Sequence, residues 1–129
     1  MKPMIKVLAL FGLLFHSLTS SFAMELKSET LLSSLLEGAP GTEVIVSRVT
    51  IPPNTSLPKH WHPGEEFAYI IEGSVTLWQK GKQDVLLTKG QVAKISLKQV
   101  HTAKTGDEGV TVIVFRVHEK GKPERVKAE

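Results

Sequence analysis

Residues 59–73 read Lys59-His60-Trp61-His62-Pro63-Gly64-Glu65-Glu66-Phe67-Ala68-Tyr69-Ile70-Ile71-Glu72-Gly73, KHWHPGEEFAYIIEG, with two histidines and two glutamates packed just ahead of an apolar run. On an extended segment successive side chains alternate faces, so His60 and His62 point one way and Trp61 the other. Two imidazoles spaced in this way can chelate one ion. Glu66 has the parity to project inward with them if the Pro63-Gly64 turn preserves it, whereas Glu65 is expected to face solvent. Ala68 and Ile70 share the parity of Glu66 and should line a pocket. Phe67, Tyr69 and Ile71 should face the other side.

Outward from this stretch the texture is β. Glu43 to Ile51 is rich in valine and isoleucine and ends at Pro52-Pro53-Asn54. Phe67 to Ile71 is followed by an expected turn at Gly73, and Ser74 to Gln79 runs to Lys80-Gly81-Lys82. Asp84 to Leu87, Val92 to Ile95, His101 to Lys104 and Val110 to Val117 follow, separated by glycine-containing turns. Seven or eight short strands at this spacing predict a small all-β sandwich or barrel over residues 43–118. Ahead of it, residues 24–42 form a lead-in. Ser28 is a candidate N-cap there, and Leu31, Leu32, Leu35 and Leu36 make a helical stripe that Gly38, Pro40 and Gly41 terminate. A short N-terminal helix packed on the sheet is therefore expected. Residues 119–129 alternate charges around Pro123 and are expected to be solvated and only partly ordered.

The first 23 residues have a separate logic. Lys2 and Lys6 precede an apolar run from Val7 to Phe15, and Ser21-Phe22-Ala23 presents the small residues that a signal peptidase accepts. The run is too short to cross a bilayer, which takes about 20 apolar residues. A cleaved secretory signal with the cut after Ala23 is expected, and with it a secreted or periplasmic location and no membrane partner after processing. Of the 16 basic residues, two lie in this segment and none of the 13 acidic ones does, so the processed chain has 14 against 13. The apparent basicity all but vanishes, and no basic patch interleaved with aromatics favours nucleic acid. The chain has no cysteine, which excludes disulfides, thiolate ligands and a cysteine nucleophile.

In the processed chain a third imidazole has two sources besides the opening pair, His101 and His118. His101 begins a β segment after Gly90 and can be returned by a neighbouring strand. His118 sits at a strand end beside Glu119 and Lys120, the setting of a surface histidine, so strand position favours His101.

The spacing His60-x-His62-x-x-x-Glu66-x6-Gly73 resembles the first motif of the cupins, small β-barrel proteins of jelly-roll type. Gly90, with five residues to Ser96 and then Lys98-Gln99-Val100-His101, resembles their second motif. The resemblance implies a jelly-roll β-barrel in which His60, His62, Glu66 and His101 are the metal ligands. The chain departs from the pattern at Asn54 and Lys98, where glycine is usual, at Ser96 in place of proline, and at Thr105 in place of asparagine. Asparagine tolerates a left-handed turn. Lys98 is expected to need a different loop conformation.

Mixed imidazole and carboxylate donors suit a single divalent transition ion, Fe, Mn, Ni, Cu or Zn among them, rather than calcium or magnesium. Four protein ligands on a six-coordinate ion leave two positions for a small-molecule substrate. By resemblance to metal-bearing cupins, dioxygenase chemistry leads, with isomerase or lyase chemistry next. The reading from a different class is a module that binds a metal or small metabolite without turning it over. Trp78, Phe115 and Arg48 are further candidates to reach a ligand, no separate catalytic acid, base or nucleophile stands out, and an uncovered edge strand suits a homodimer.

Overall fold

The computed structural model describes residues 24–129; the expected signal segment and its cleavage after Ala23 lie outside them. Nine strands run in the order β1 (Lys27–Leu35), β2 (Thr42–Ile51), β3 (His60–Trp61), β4 (Glu65–Gln79), β5 (Val85–Thr88), β6 (Val92–Ile95), β7 (His101–Lys104), β8 (Val110–Glu119) and β9 (Val126–Lys127). Every pairing is antiparallel, along the path β1-β2-β8-β4-β7-β3-β9, with β5 and β6 also pairing β4. The result is an all-β sheet curled into a half-barrel, and no α-helix occurs among the described residues.

β4 organises the curl. Its first half pairs with β8 and β6, and its second half pairs with β5 and β7. The two halves meet at a bulge between Ile70 and Glu72, followed by Gly73 at φ 74°. A bulge inserts one residue and bends the strand. It also switches the inward parity, from Glu66 and Ile70 before it to Val75, Leu77 and Gln79 after it. Gly73 is thus a bend inside one long strand rather than the turn between two. Any Cβ there would run into the carbonyl of Gly109, so only glycine lets the two backbones touch.

The concave side holds the core: Val49 and Ile51 of β2, Ile70 of β4, Leu87 and Ile95, and the alternating Val110, Val112 and Val114 of β8. Phe67, Tyr69 and Phe115 lie on the convex side and are exposed, as alternation requires.

Two expectations at the ends of the chain are overturned. The lead-in is strand rather than helix: residues Lys27–Leu35 pair with β2 across a register shift between Thr30 and Leu32. The free edge of β2 supplies backbone partners for a whole strand, and a leucine stripe with no apolar surface opposite it cannot repay a helix. Leu31, Leu32 and Leu35 are all exposed, and Ser28 lines the inner cavity instead of capping anything. The tail, in turn, is ordered, with Val126–Lys127 paired to Trp61 and His60 and the Ala128 N–H donating to Lys59 O at 3.0 Å.

Candidate metal centre

His60 and His101 sit directly opposite each other where β3 pairs with β7. Cross-strand partners place their Cβ atoms about 5 Å apart, so their rings must meet on the inner face. The ring centroids are 4.4 Å apart, and each lies 5.0 Å from that of His62. One ring nitrogen from each of the three histidines falls within 4.8 Å of the others, and all three residues are buried.

Glu66 reaches the same point from β4. Gly64 sets this up: a Cβ there would strike the backbone of Val117 and the side chain of His118, so its absence lets the Pro63-Gly64 turn lie on β8. Glu65 and Glu66 then enter in register opposite Val117 and Arg116. The Glu66 carboxylate lies 3.0 Å from His62 Nε2 and 3.9 Å from His101 Nε2, and Arg116 Nε donates to it at 2.7 Å. Glu65 faces outward to Lys94 at 2.8 Å.

The second nitrogen of each ring is committed. His60 Nδ1 donates to Pro58 O at 2.7 Å, His62 Nδ1 to Glu124 O at 2.6 Å, and His101 Nδ1 to Gln99 O at 2.8 Å. A carbonyl can only accept, so each Nδ1 carries a proton, and the neutral form of each ring has its lone pair on Nε2. Anchoring one nitrogen on a backbone carbonyl is how metal-binding histidines are oriented. His62 Nε2 is buried with no hydrogen-bond partner although the Glu66 carboxylate is beside it. Three imidazole nitrogens gathered this closely, with a carboxylate beside them, make a donor pocket that a cation satisfies. The three-histidine set therefore fits a metal ion, with Glu66 as the neighbouring carboxylate.

Protonation points the same way. Burial, with repulsion from His101 and His62 added, brings His60 down from 6.5 to about 4, against the opposing pull of its Pro58 hydrogen bond and Glu66. Burial likewise lowers His101. For Glu66 burial alone would raise the value, but the contact with His62 and the charge of Arg116 reverse it, from 4.5 down to about 2. Near neutral pH His60 and His101 are uncharged and Glu66 is an anion, the forms that bind metal.

His118 does not join the cluster. It is not at the surface, however: it is buried at the far end of β8 and its Nε2 lies 3.0 Å from Glu43 Oε1. Lys98 also departs from expectation. It adopts φ 58° itself, taking the left-handed conformation that the usual glycine would, and its N–H donates to His62 O at 3.1 Å. Asn54 does the same at φ 52°. Thr105 donates its hydroxyl to Pro52 O at 2.6 Å and accepts from the Thr55 N–H at 3.0 Å, closing the loop before β3.

A cavity of about 150 Å³ adjoins the cluster, bordered by His60, Glu66, His101, Arg116 and Arg125 and floored by aliphatic side chains that include Ile51 and Val112. Ala68 and Ile70 line the adjoining interior, as their parity requires. None of Trp78, Phe115 and Arg48 lines the cavity: Trp78 stacks under Lys59 Nζ at 4.3 Å, Phe115 lies on the convex face and Arg48 pairs outward with Glu29. Arg116 is a functional residue that the motif spacing passes over, although its parity with Val110, Val112 and Val114 marks it as inward. Arg125 and the carbonyl of Glu124 have no such signal.

A curled antiparallel sheet with three converging imidazoles in its mouth defines a β-barrel protein able to hold one metal ion. Residues 47–116, more than half of the chain, match the family model described as Cupin domain, and the chain belongs to the cupins. No curated protein sequence matches it. Among solved structures, a cupin family protein with a double-stranded β-helix fold from Methanocaldococcus jannaschii superposes with a TM-score of 0.63 at 15% identity, over 91% of this chain and 94% of that one. The DMSP lyase from Ruegeria pomeroyi gives 0.67 at 21% identity over 80% of this chain, which spans only 51% of the lyase. The polyketide cyclase from Streptomyces resistomycificus gives 0.57 at 20% identity, over 76% and 81% of the respective chains. At these identities the likeness is one of fold.

Proposed function

We propose that this chain is an exported cupin metalloenzyme that binds one divalent transition ion through His60, His62, His101 and Glu66 and acts on a small molecule in the adjoining cavity. The observation that carries the reading is the commitment of all three Nδ1 atoms to backbone carbonyls, which leaves Nε2 of each buried ring as the available donor, with those of His62 and His101 3.0 and 3.9 Å from the Glu66 carboxylate. When bound, the ion supplies a Lewis-acid or redox centre with positions left for exogenous ligands. The chain's own residues hold the rings through their Nδ1 atoms, keep Glu66 ionised through His62 and Arg116, and line the space beside the site with aliphatic side chains.

Dioxygenase-like chemistry is the preferred class. Among the described residues that line the cavity, Glu66 is the sole carboxylate, and His62 and Arg116 both engage it. No second acid or base stands ready for an elimination that does not run through the ion. A metal-dependent lyase or isomerase is the second reading, supported by the fold shared with the DMSP lyase and the polyketide cyclase. A non-catalytic module that sequesters a metal or metabolite would use the same ligands.

Elemental analysis of protein purified from its native compartment tests the centre. The expected result is one equivalent of transition metal, lost in His60→Ala and His101→Ala. Protein that cannot be loaded to stoichiometry overturns it. Oxygen consumption by the iron- or nickel-loaded form favours the dioxygenase reading, and a tightly held, inert zinc favours the binding module. A mature N-terminus at Met24 in the exported protein is the result expected for the signal segment.

A further inference from the structure

The tail following β8 contributes two cations to the rim of the cavity. Arg125 borders the inner cavity beside His60 and also a second hollow formed with Pro58, His60 and Lys127, so it stands at the junction between the interior and its entrance. Arg125 immediately precedes β9 and Lys127 ends it, and both line that hollow. The backbone beneath them is fixed on both sides. Glu124 O accepts the hydrogen bond from His62 Nδ1, Val126 and Lys127 pair with Trp61 and His60, and the Ala128 N–H donates to Lys59 O.

The two arginines at the cavity are not equivalent. Arg116 is neutralised, with Nε on Glu66 at 2.7 Å and Nη1 3.4 Å from Glu124. Arg125 forms no ion pair with any carboxylate among the described residues. A guanidinium offers a planar fork of donors whose geometry matches a carboxylate, and Arg125, exposed at the mouth of a largely aliphatic cavity and without a protein anion, is available to an exogenous one. The local charge agrees: Arg116, Arg125 and Lys127 face Glu66 and Glu124, which leaves the mouth with a net positive charge.

We infer that Arg125 is the recognition residue for a small monocarboxylate, whose carboxylate is held at the rim while its aliphatic part enters the cavity. The size follows from the volume, since about 150 Å³ is the space of roughly five waters in the liquid. The chemistry below the rim is aliphatic, with Val49, Ile51, Leu57, Val112 and Val114 forming the wall. As a substrate class for the metalloenzyme this inference rests on the proposed function; as a binding site it stands on Arg125 and the cavity alone.

Calorimetric titration of the full chain with butyrate, and with butyramide as the uncharged isostere, tests it in chelator-treated and zinc-loaded protein. Butyrate is expected to bind at least tenfold more tightly than butyramide in both forms. R125Q should remove that preference, and R48Q, an exposed arginine on β2 paired with Glu29, should keep it. Equal binding of butyrate by wild type and R125Q, equal binding of the two probes, or no butyrate binding in either form overturns the inference. Zinc uptake measured on the same samples separates the two readings. If zinc is not taken up while butyrate binding still depends on Arg125, the metal centre fails and the carboxylate site stands. If zinc binds and R125Q changes nothing, only the carboxylate site fails.

Discussion

At the scale of single residues, His60 shows how burial prepares a ligand and makes it acid-sensitive. Its folded value of about 4 lies below the 6.5 of the unfolded chain, so the folded state disfavours the proton. Such a group contributes stability that is fully present above pH 6.5 and is lost as the pH falls through 4. Glu66, at about 2 against 4.5, extends the loss to lower pH with the same sign. A tenfold change in proton affinity is worth about 1.4 kcal/mol, and water at the cavity mouth screens part of it. Metal-free protein should therefore lose on the order of 2 kcal/mol between pH 7 and pH 4 through His60. Urea midpoints across that range would measure it, and in His60→Gln the slope should flatten; an unchanged slope would mean that the imidazole is not held neutral. Lys98 makes a separate residue-scale prediction. A lysine at φ 58° carries the steric cost of the left-handed region, about 1–2 kcal/mol, which glycine avoids at the expense of a looser unfolded chain. Lys98→Gly should raise stability by up to about 1 kcal/mol in the same denaturation assay and leave metal uptake unchanged.

At the scale of elements, the piece that matters most in proportion to its size is β9. It is two residues long, yet it covers β3, and the segment leading into it supplies the carbonyl that orients His62. Removing residues 123–129 should weaken metal binding by about 10–100-fold, the range typical when the groups that orient a ligand are lost. Glu124→Ala keeps the carbonyl and sacrifices only a half-exposed ion pair with Arg116, so its affinity should stay close to wild type. Cobalt titration followed by absorbance compares the two, and equal affinities for both variants would deny the tail its role. The same element marks where sequence patterns stop. His60, His62 and Glu66 are legible because strand alternation depends only on local spacing, and β6 and β7 have the bounds read from the sequence, Val92–Ile95 and His101–Lys104. Arg116 is legible too, but only in the parity of Val110, Val112 and Val114, which no motif singles out. β1 is not legible, since leucines left exposed on an edge strand follow no burial period and imitate a helical stripe. β9 and its contacts are not legible either, because a charged two-residue strand has no pattern of its own and forms only when β3 is already in place. The left-handed Lys98 belongs with these, because its conformation is held by a hydrogen bond to His62 O, far away in sequence.

At the scale of the whole molecule, the candidate centre draws together parts of the sheet that are otherwise joined lightly. β3 has a single residue pair with β7 and two with β9, while β2 and β8 pair along ten positions and form the stable side of the curl. His60 and His62 come from the lightly held segment, His101 from β7 and Glu66 from the long central strand. An ion bound by all four residues would fasten the mouth of the half-barrel to its rigid side, and it would bind the folded state alone, since no such constellation exists in the unfolded chain. By mass action, free ligand at 100 times its Kd adds about 2.7 kcal/mol to the folded state. For a domain of about 100 residues each kcal/mol moves Tm by about 4–8 °C. Stoichiometric loading with a slight excess of zinc should then raise Tm by about 10–20 °C in scanning calorimetry, and chelator should reverse the change. His101→Ala should unfold cooperatively near the metal-free Tm and show no zinc-dependent rise, because the wall of aliphatic side chains on β2, β4 and β8 does not depend on that imidazole. A Tm that zinc leaves unmoved in wild type, or a rise that persists in His101→Ala, would mean that these four residues do not jointly hold an ion in the folded protein.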